Sequence, residues 1–183
     1  NQTYKNFEIC IADDHSTSEE TINKLKKYES YKNIHIVWRK ENGMISKASN
    51  DALNIAKGEY IVLVDNDDTI EKDALYYFVE ALNNDKTIDM IYSDEDKLDY
   101  DGVRMEPHFK PDYSPDTFKC LNYICHLTCI RKELVDKIGG FRSEYDGSQD
   151  YDLFLRIEDI TQNIYHVPRI LYHWRQTKNS TQP

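Results

Sequence analysis

The sequence lacks any long apolar run, and none of its hydrophobic stretches approaches the roughly 20 residues that a membrane-spanning helix needs. The first residues, Asn1 to Lys5, show no charged region followed by an apolar region, so they do not resemble a signal peptide. We therefore predict a cytoplasmic protein without a transmembrane segment. Any membrane contact is expected to be peripheral, at the inner face, and to involve the full-length protein.

Positively charged residues are scarce in this chain. Its 183 residues include 23 Lys and Arg but 33 Asp and Glu, which gives a formal net charge of −10. A protein that binds nucleic acid by itself needs a basic surface to neutralise phosphates, so we exclude nucleic acid as a partner. Hydrophobic residues make up 39% of the chain, which is too many for a disordered protein.

Cysteine is also rare, with residues at positions 10, 120, 125 and 129. A chain of this length does not need disulfide bonds to stabilise its core. Cys120, Cys125 and Cys129, together with His126, lack the closely spaced Cys-x2-Cys pair of most structural zinc sites. We predict buried, reduced cysteines, with a zinc site as the alternative.

Short apolar runs alternate with amphipathic stretches in the first half of the chain. The predicted strands are 7–12, 34–38, 60–64 and 90–92, and the predicted helices between them are 18–28, 45–57 and 72–83. This alternation predicts an α/β fold, a mainly parallel sheet with helices on both faces.

The second half is predicted to be less regular. Residues 94–119 are polar and contain prolines, so we expect a long irregular segment there. A strand over 127–131, a helix over 132–138 and a helix over 150–158 with Asp150 as its N-cap follow. We see no linker, and predict a single domain over 1–183.

Acidic residues follow three of the predicted strands: Asp13-Asp14, Asp65-Asn66-Asp67-Asp68 and Asp94-Glu95-Asp96. Because ligands of open α/β sheets bind outside the carboxyl ends of the strands, we expect these clusters to meet at one rim. A divalent cation that takes oxygen ligands and bridges to phosphates would offset their charge. The alternative for each cluster alone is a turn or a helix cap.

Several motifs follow one another along the chain. They are Asp13-Asp14-His15-Ser16, Glu41-Asn42-Gly43, Ala48-Ser49-Asn50, Lys57-Gly58-Glu59-Tyr60, Asp65-Asn66-Asp67-Asp68, Gly139-Gly140-Phe141, Gln149-Asp150-Tyr151-Asp152 and Tyr172-His173-Trp174-Arg175. This ordered series resembles the family 2 glycosyltransferases of the GT-A fold and covers nearly the whole chain. The middle stretch, from Tyr92 to Tyr123, resembles bacterial members that build cell-surface polysaccharides such as O-antigens and rhamnans.

Two features depart from the family pattern. The family normally has another strand and helix before Gln2-Thr3-Tyr4, and that strand lines the nucleotide pocket. The resemblance therefore implies a fragment of a longer protein, with a nucleotide-sugar-binding half at 1–93 and an acceptor-binding and catalytic half at 94–183. The usual Asp-Asp-Gly-Ser also lacks its glycine here, where His15 stands.

The resemblance implies a site for a nucleotide-diphospho-sugar donor that carries UDP or dTDP. It implies that Asp13 and Asp14 bind the nucleotide base of the donor, because carboxylates accept hydrogen bonds from the N–H of uracil or thymine. Gly43, Lys47 and Asn50 open the second helix near the same pocket. The alternatives are a helix cap for either acid and a solvated lysine at position 47.

The DxD motif is formed by Asp65 and Asp67. The resemblance implies that Asp67 binds Mn²⁺ or Mg²⁺, that Asp65 reaches the ribose or the metal with its water, and that His173 completes the metal shell. The ion would act as a Lewis acid on the diphosphate. We expect Asp68 to cap the helix that starts near Glu71, and packing is the alternative for His173.

Asp150 is the predicted general base, which takes the proton of an attacking hydroxyl on a glycan or lipid-linked acceptor. Attack by that hydroxyl opposite the leaving nucleotide inverts the anomeric configuration. Gln149, Asp152 and Trp174 are the expected acceptor contacts.

Two other functions are compatible with parts of the sequence. Residues 61–69 match the strand and DxDxT motif of haloacid-dehalogenase-type phosphatases, in which Asp65 would be the phosphorylated nucleophile. That motif normally lies near the chain start and needs a downstream lysine and a Gly-Asp pair that we do not find. The second alternative is a non-catalytic module that binds sugar nucleotide or scaffolds a polysaccharide machine.

Overall fold

The computed structural model describes residues 1–176. The strands are β1 (Ile9–Asp13), β2 (Ile34–Trp38), β3 (Tyr60–Leu63), β4 (Thr69–Ile70), β5 (Met90–Leu98), β6 (Arg104–His108), β7 (Thr128–Arg131) and β8 (Ile164–Arg175). The helices are α1 (Glu19–Tyr28), α2 (Met44–Ile55), α3 (Ala74–Asn84), α4 (Pro115–Cys120), α5 (Lys132–Lys137) and α6 (Gln149–Glu158). Most elements predicted from periodicity are confirmed, with ends displaced by at most two residues. None of the helices within 1–176 is long and apolar enough to cross a membrane.

The chain forms two compact units, and each is described by itself. The first contains residues 1–5, 62–131 and the described residues from 161 onward. The second contains residues 6–61 and 132–160. Each unit therefore combines segments that are far apart in the sequence.

The larger sheet is mixed. Its six strands run in the order β3-β7-β5-β8-β4, and β6 pairs with β5 outside this path. β5 is parallel to β8 but antiparallel to β6 and β7, and β4 is antiparallel to β8. The predicted α/β class is confirmed. The larger sheet is not mainly parallel as expected, because three of its strand pairs are antiparallel. Met90, Ile91 and Tyr92 of β5 are fully buried at its centre.

The expectation of a long irregular segment at 94–119 is wrong. β5 continues to Leu98, β6 forms a hairpin with it, and α4 follows. The polar residues that hid this strand are buried with partners, because Asp94 accepts the Lys110 N–H at 2.9 Å and lies 2.9 Å from the ring of His166. Among the described strands, β6 pairs only with β5. It is therefore an edge strand, where a proline that lacks an N–H donor is tolerated at position 107.

β8 is an element that the sequence did not predict. Its pairing with β5 changes register after Ser93. Ser93 of β5 pairs with Val167 of β8, whereas the next residue of β5, Asp94, pairs with Ile170. The two residues left over, Pro168 and Arg169, form an irregularity that accommodates a proline within a long strand. This strand carries the Tyr172-His173-Trp174-Arg175 motif.

The second unit contains a parallel pair formed by β1 and β2, in which Asp13 is paired with Trp38. α1 has a regular start and end, because the Ser18 hydroxyl accepts the Thr21 N–H at 3.3 Å and its terminal turns carry charges that suit the helix dipole. α6 begins at Gln149 with Ser148 at the N-cap position, so the prediction that Asp150 is the N-cap is wrong.

Within residues 1–176, none of the four cysteines takes part in a disulfide bond. Cys129 is buried, and burial raises the pKa of its thiol to about 12. Cys120 is exposed, so the expectation of burial is wrong at that position.

Candidate functional site

The DxD motif lies in a short turn after β3, which we call the acidic loop (Asp65–Asp68). The Asp68 N–H donates to the Asp65 carbonyl at 3.4 Å and closes the turn. Asp65 and Asp67 are exposed, whereas Asp68 is half-buried. The loop therefore presents two carboxylates to solvent and turns the third inward.

Asp68 does not cap a helix, contrary to the sequence prediction. α3 begins at Ala74, and Asp73 occupies its N-cap position. The Asp68 carboxylate instead accepts the Tyr172 hydroxyl at 2.5 Å and the Arg175 N–H at 2.8 Å. Burial raises the pKa of Asp68 above its ordinary value, although these hydrogen bonds oppose that shift.

The chemistry of the acidic loop fits a divalent cation that arrives with a phosphate-bearing substrate. Asp65 and Asp67 supply oxygen, the donor atom that Mg²⁺ and Mn²⁺ accept. Within residues 1–176, no group of three or more His, Cys, Asp or Glu side chains is arranged to hold a metal ion. Mg²⁺ is commonly held by one or two carboxylates with water and substrate phosphates, so two exposed carboxylates suffice for that mode.

His173, the predicted third metal ligand, is buried in β8 between two carboxylates. Its Nδ1 lies 2.5 Å from Asp96 Oδ1, and its Nε2 lies 3.3 Å from Glu71 Oε1. Arg104 contacts the same two acids, at 2.6 Å from Asp96 and 2.9 Å from Glu71. Metal ligation by His173 stays a prediction, and it requires one ring nitrogen to leave its carboxylate.

His126 is a neighbour of the acidic loop that sequence reasoning missed. Its ring stacks on Tyr172 with centroids 4.7 Å apart and lies 5.7 Å from the ring of Trp174. Its Nε2 is 3.6 Å from Asp65 Oδ2. No sequence signal indicated this arrangement, because it depends on the pairing of the unpredicted β8. Trp174 as an acceptor contact stays a prediction.

In the second unit, the structure brings Asp14 and Gly43 together, as the sequence prediction requires. Asp14 Oδ1 accepts the Gly43 N–H at 2.8 Å and lies 2.9 Å from Arg39 Nε. Arg39, which the prediction did not include, also contacts Asp51 at 2.6 Å. The arginine therefore holds the Asp14 carboxylate in place.

Asp13 and His15 shape the turn that follows β1. The buried Asp13 carboxylate accepts the Ser16 N–H at 3.0 Å, which is the turn role that the sequence left open. His15 has a φ of 63°, a left-handed conformation that glycine adopts at lower cost. This is the position at which the family pattern has glycine.

Asn50 and Lys47, two predicted donor contacts on α2, differ in their surroundings. The Asn50 amide donates to the Phe141 carbonyl and accepts the Phe141 N–H, both at 2.8 Å. A Cβ at Gly140 would lie 2.4 Å from Asn50 Oδ1, so the glycine permits this approach. Lys47 is exposed. Asn50 thus joins two segments of its unit, and donor contacts by either residue stay predictions.

The first turn of α6 carries the acceptor-side residues. Gln149 accepts the Gly147 N–H at 2.9 Å, and Asp150 lies in the first turn, where a helix dipole favours a carboxylate. Asp152 is buried and contacts both Arg142 and Arg156. Burial opposes its ionisation, but hydrogen bonds from the two arginines outweigh burial and lower the pKa of Asp152. Its acceptor contact and the base role of Asp150 stay predictions.

The family model described as glycosyl transferase family 2 matches residues 1–139. An O-antigen biosynthesis protein, RfbC of Myxococcus xanthus, is 32% identical over 176 residues, which cover 96% of this chain and 14% of that protein. The chain spans 14% to 20% of the length of the curated relatives first matched.

Solved structures share the fold. TarS 1-349 of S. aureus in complex with UDP-GlcNAc has a TM-score of 0.80 and 22% identity, and the match covers 98% of this chain and 53% of TarS 1-349. The mannosyltransferase PcManGT from Pyrobaculum calidifontis, in complex with GDP-Man and Mn²⁺, has a TM-score of 0.72 and 20% identity, with 97% and 51% covered. These likenesses confirm the predicted GT-A fold.

Proposed function

This chain belongs to glycosyl transferase family 2, and we propose that it transfers a sugar from a UDP- or dTDP-sugar to a hydroxyl of a glycan or lipid-linked acceptor in cell-surface polysaccharide synthesis. The observation that carries the proposal is the pair of exposed carboxylates, Asp65 and Asp67, in the acidic loop. The name of the Myxococcus xanthus relative and the UDP-GlcNAc complex of TarS support the substrate class. A cytoplasmic location at the inner face of the membrane is part of the proposal.

The proposed donor contacts include three carboxylates, those of Asp14, Asp65 and Asp67. In the second unit, Asp14 Oδ1 is engaged by Gly43 and Arg39, and we assign its Oδ2 to the N–H of the nucleotide base. In the first unit, Asp67 and Asp65 would hold Mn²⁺ or Mg²⁺, with His173 as a third ligand after rearrangement. When bound, the ion neutralises charge that develops on the leaving nucleotide diphosphate. The Mn²⁺ in the PcManGT complex supports this assignment.

The transfer step is assigned to Asp150. Its carboxylate takes the proton of the acceptor hydroxyl as that oxygen bonds to the anomeric carbon. The bond from the anomeric carbon to the diphosphate breaks on the opposite face, so the configuration is inverted. Gln149, Asp152 and Trp174 are proposed as acceptor contacts, and the Asp152 carboxylate also pairs with Arg142.

A two-step experiment tests this function. Titration calorimetry measures the binding of UDP-sugars and dTDP-sugars with and without Mn²⁺, and a transfer assay with glycan acceptors follows. Metal-dependent binding with sugar transfer is the expected result. Binding without transfer would indicate the non-catalytic module, and phosphate release with an acyl-phosphate on Asp65 would indicate the phosphatase. The family match favours the transferase over the phosphatase.

A further inference from the structure

The hydroxyl of Tyr172 connects β8 to both ends of the acidic loop. Tyr172 is completely buried. Its hydroxyl oxygen accepts the Asp65 N–H at 3.3 Å, and its O–H donates to Asp68 Oδ2 at 2.5 Å. One phenol therefore contacts the first and last residues of the turn that presents Asp65 and Asp67.

A second contact from β8 completes the attachment. The Arg175 N–H donates to Asp68 Oδ1 at 2.8 Å, so both oxygens of the Asp68 carboxylate accept hydrogen bonds from this strand. The Asp68 N–H in turn donates to the Asp65 carbonyl. The loop is thereby held to a paired strand of the sheet, while Asp67 between the two anchored residues stays exposed.

The phenol is also shielded from water by His126. That ring stacks on Tyr172, and the backbone that carries it is held by Lys110, whose buried amine donates to the carbonyls of Ile124, at 2.6 Å, and His126. Glu95 Oε2 accepts from the same amine at 3.1 Å and from the His126 N–H at 3.3 Å. A hydrogen bond in such a dry environment is stronger than one exposed to water.

We propose that Tyr172 is a positioning residue that sets the acidic loop so that Asp65 and Asp67 face the metal and the donor diphosphate. This inference rests on the proposed function, because it assigns the loop to donor binding. Because the phenol is completely buried, it acts through the loop and not by direct contact with substrate or metal. Loss of its hydroxyl removes the hydrogen bonds to the Asp65 N–H and to Asp68 Oδ2, which loosens the turn while the aromatic ring stays packed.

The test compares Tyr172→Phe with Tyr92→Phe in the 183-residue chain. Tyr92 is a matched control, because it is also completely buried, its hydroxyl donates to the Pro111 carbonyl at 2.5 Å, and its ring stacks on His166. Hydrogen exchange of the peptide that contains the acidic loop, and calorimetric titration of UDP with Mn²⁺, are measured for both variants and the wild type.

Tyr172→Phe is expected to accelerate amide exchange in the acidic loop and to weaken Mn²⁺-dependent UDP binding, each by about tenfold. Tyr92→Phe is expected to leave both unchanged. Wild-type exchange and affinity in Tyr172→Phe, or equal changes in both variants, would overturn the inference. If Tyr172→Phe does not fold, Asp68→Asn carries the test: faster loop exchange supports the inference, and unchanged exchange overturns it.

The exchange measurement needs no nucleotide, so it separates this inference from the proposed function. A wild-type chain that binds neither UDP nor dTDP in the presence of Mn²⁺ would overturn the proposed function. Loop exchange in Tyr172→Phe would still decide whether the phenol holds the acidic loop.

Discussion

Asp67 is the residue whose side chain the structure leaves exposed between two anchored neighbours of the acidic loop. Asp67→Ala is expected to abolish Mn²⁺-dependent nucleotide binding, because it removes the assigned oxygen ligand of the ion. Titration calorimetry measures the effect, and Asp101→Ala, which changes an exposed acid of the same unit, should bind as the wild type does. Unchanged affinity in Asp67→Ala would remove Asp67 from the donor site.

Asp150 is expected to act in the transfer step as the general base and not to bind the donor. Asp150→Asn retains the size of the side chain but cannot accept the acceptor proton, so turnover should fall by about 10²- to 10⁴-fold with donor affinity retained. A radiolabelled transfer assay and calorimetry separate the two effects. Asp159→Asn, at the exposed end of the same helix, is the control. A wild-type rate in Asp150→Asn would show that another group is the base.

At the scale of elements, α6 is held by one buried carboxylate. Asp152 lies between Arg142 and Arg156, and Arg156 also donates to the carbonyls of Ile138 and Gly140, at 3.0 and 2.7 Å. The start of α6, where Asp150 lies, is therefore joined to the end of α5 and to the glycine turn after it. Both carboxylate oxygens of Asp152, a predicted acceptor contact, are therefore bound to arginines.

This carboxylate gives α6 a defined pH dependence. The folded-state pKa of Asp152 lies below its ordinary value of 3.8, so its contribution to stability is complete above that value and is lost as the pH falls through the folded-state pKa. Asp152→Asn should lower the free energy of unfolding by about 2 kcal/mol at neutral pH, and by less at pH about 3. Urea unfolding of the wild type and of Asp152→Asn at the two pH values measures the free energy of unfolding. The same loss of free energy at both pH values would contradict the prediction.

The elements that sequence periodicity missed are those with buried polar residues. β5 was predicted only as 90–92, since its later positions include Asp94 and Asp96, which are buried and paired with histidines. β8 was not predicted because Pro168 interrupts it and because its partner is far away in the sequence. Periodicity measures the separation of apolar from polar residues, and it fails where the sheet itself supplies partners for polar side chains.

At the scale of the whole molecule, metal and nucleotide are expected to bind together. Two carboxylates alone make a weak site, so Mn²⁺ by itself should barely change the melting temperature, and UDP with Mn²⁺ should stabilise the fold by about 2.7 kcal/mol at 100 times Kd. Scanning calorimetry with each ligand, and with EDTA as the control, measures this. If Mn²⁺ alone raised the melting temperature as much as UDP with Mn²⁺, the metal site would be complete without nucleotide.

The family match covers residues 1–139, and Asp150, His173 and Trp174 follow that region. Their roles therefore depend on the motif resemblance and on local geometry. Asp67→Ala tests a residue within the matched region, and Asp150→Asn tests a residue that follows it.

The sequence by itself determined the order of most strands and helices, the α/β class, the family and the acidic loop, because periodicity and short motifs are local properties of the chain. Only the tertiary structure decided the partners of each side chain. It turned Asp68 toward Tyr172, enclosed His173 between Asp96 and Glu71, and placed His126 beside Asp65. These contacts form when β8 pairs with β5, and no local pattern in the chain encodes a pairing between strands so far apart.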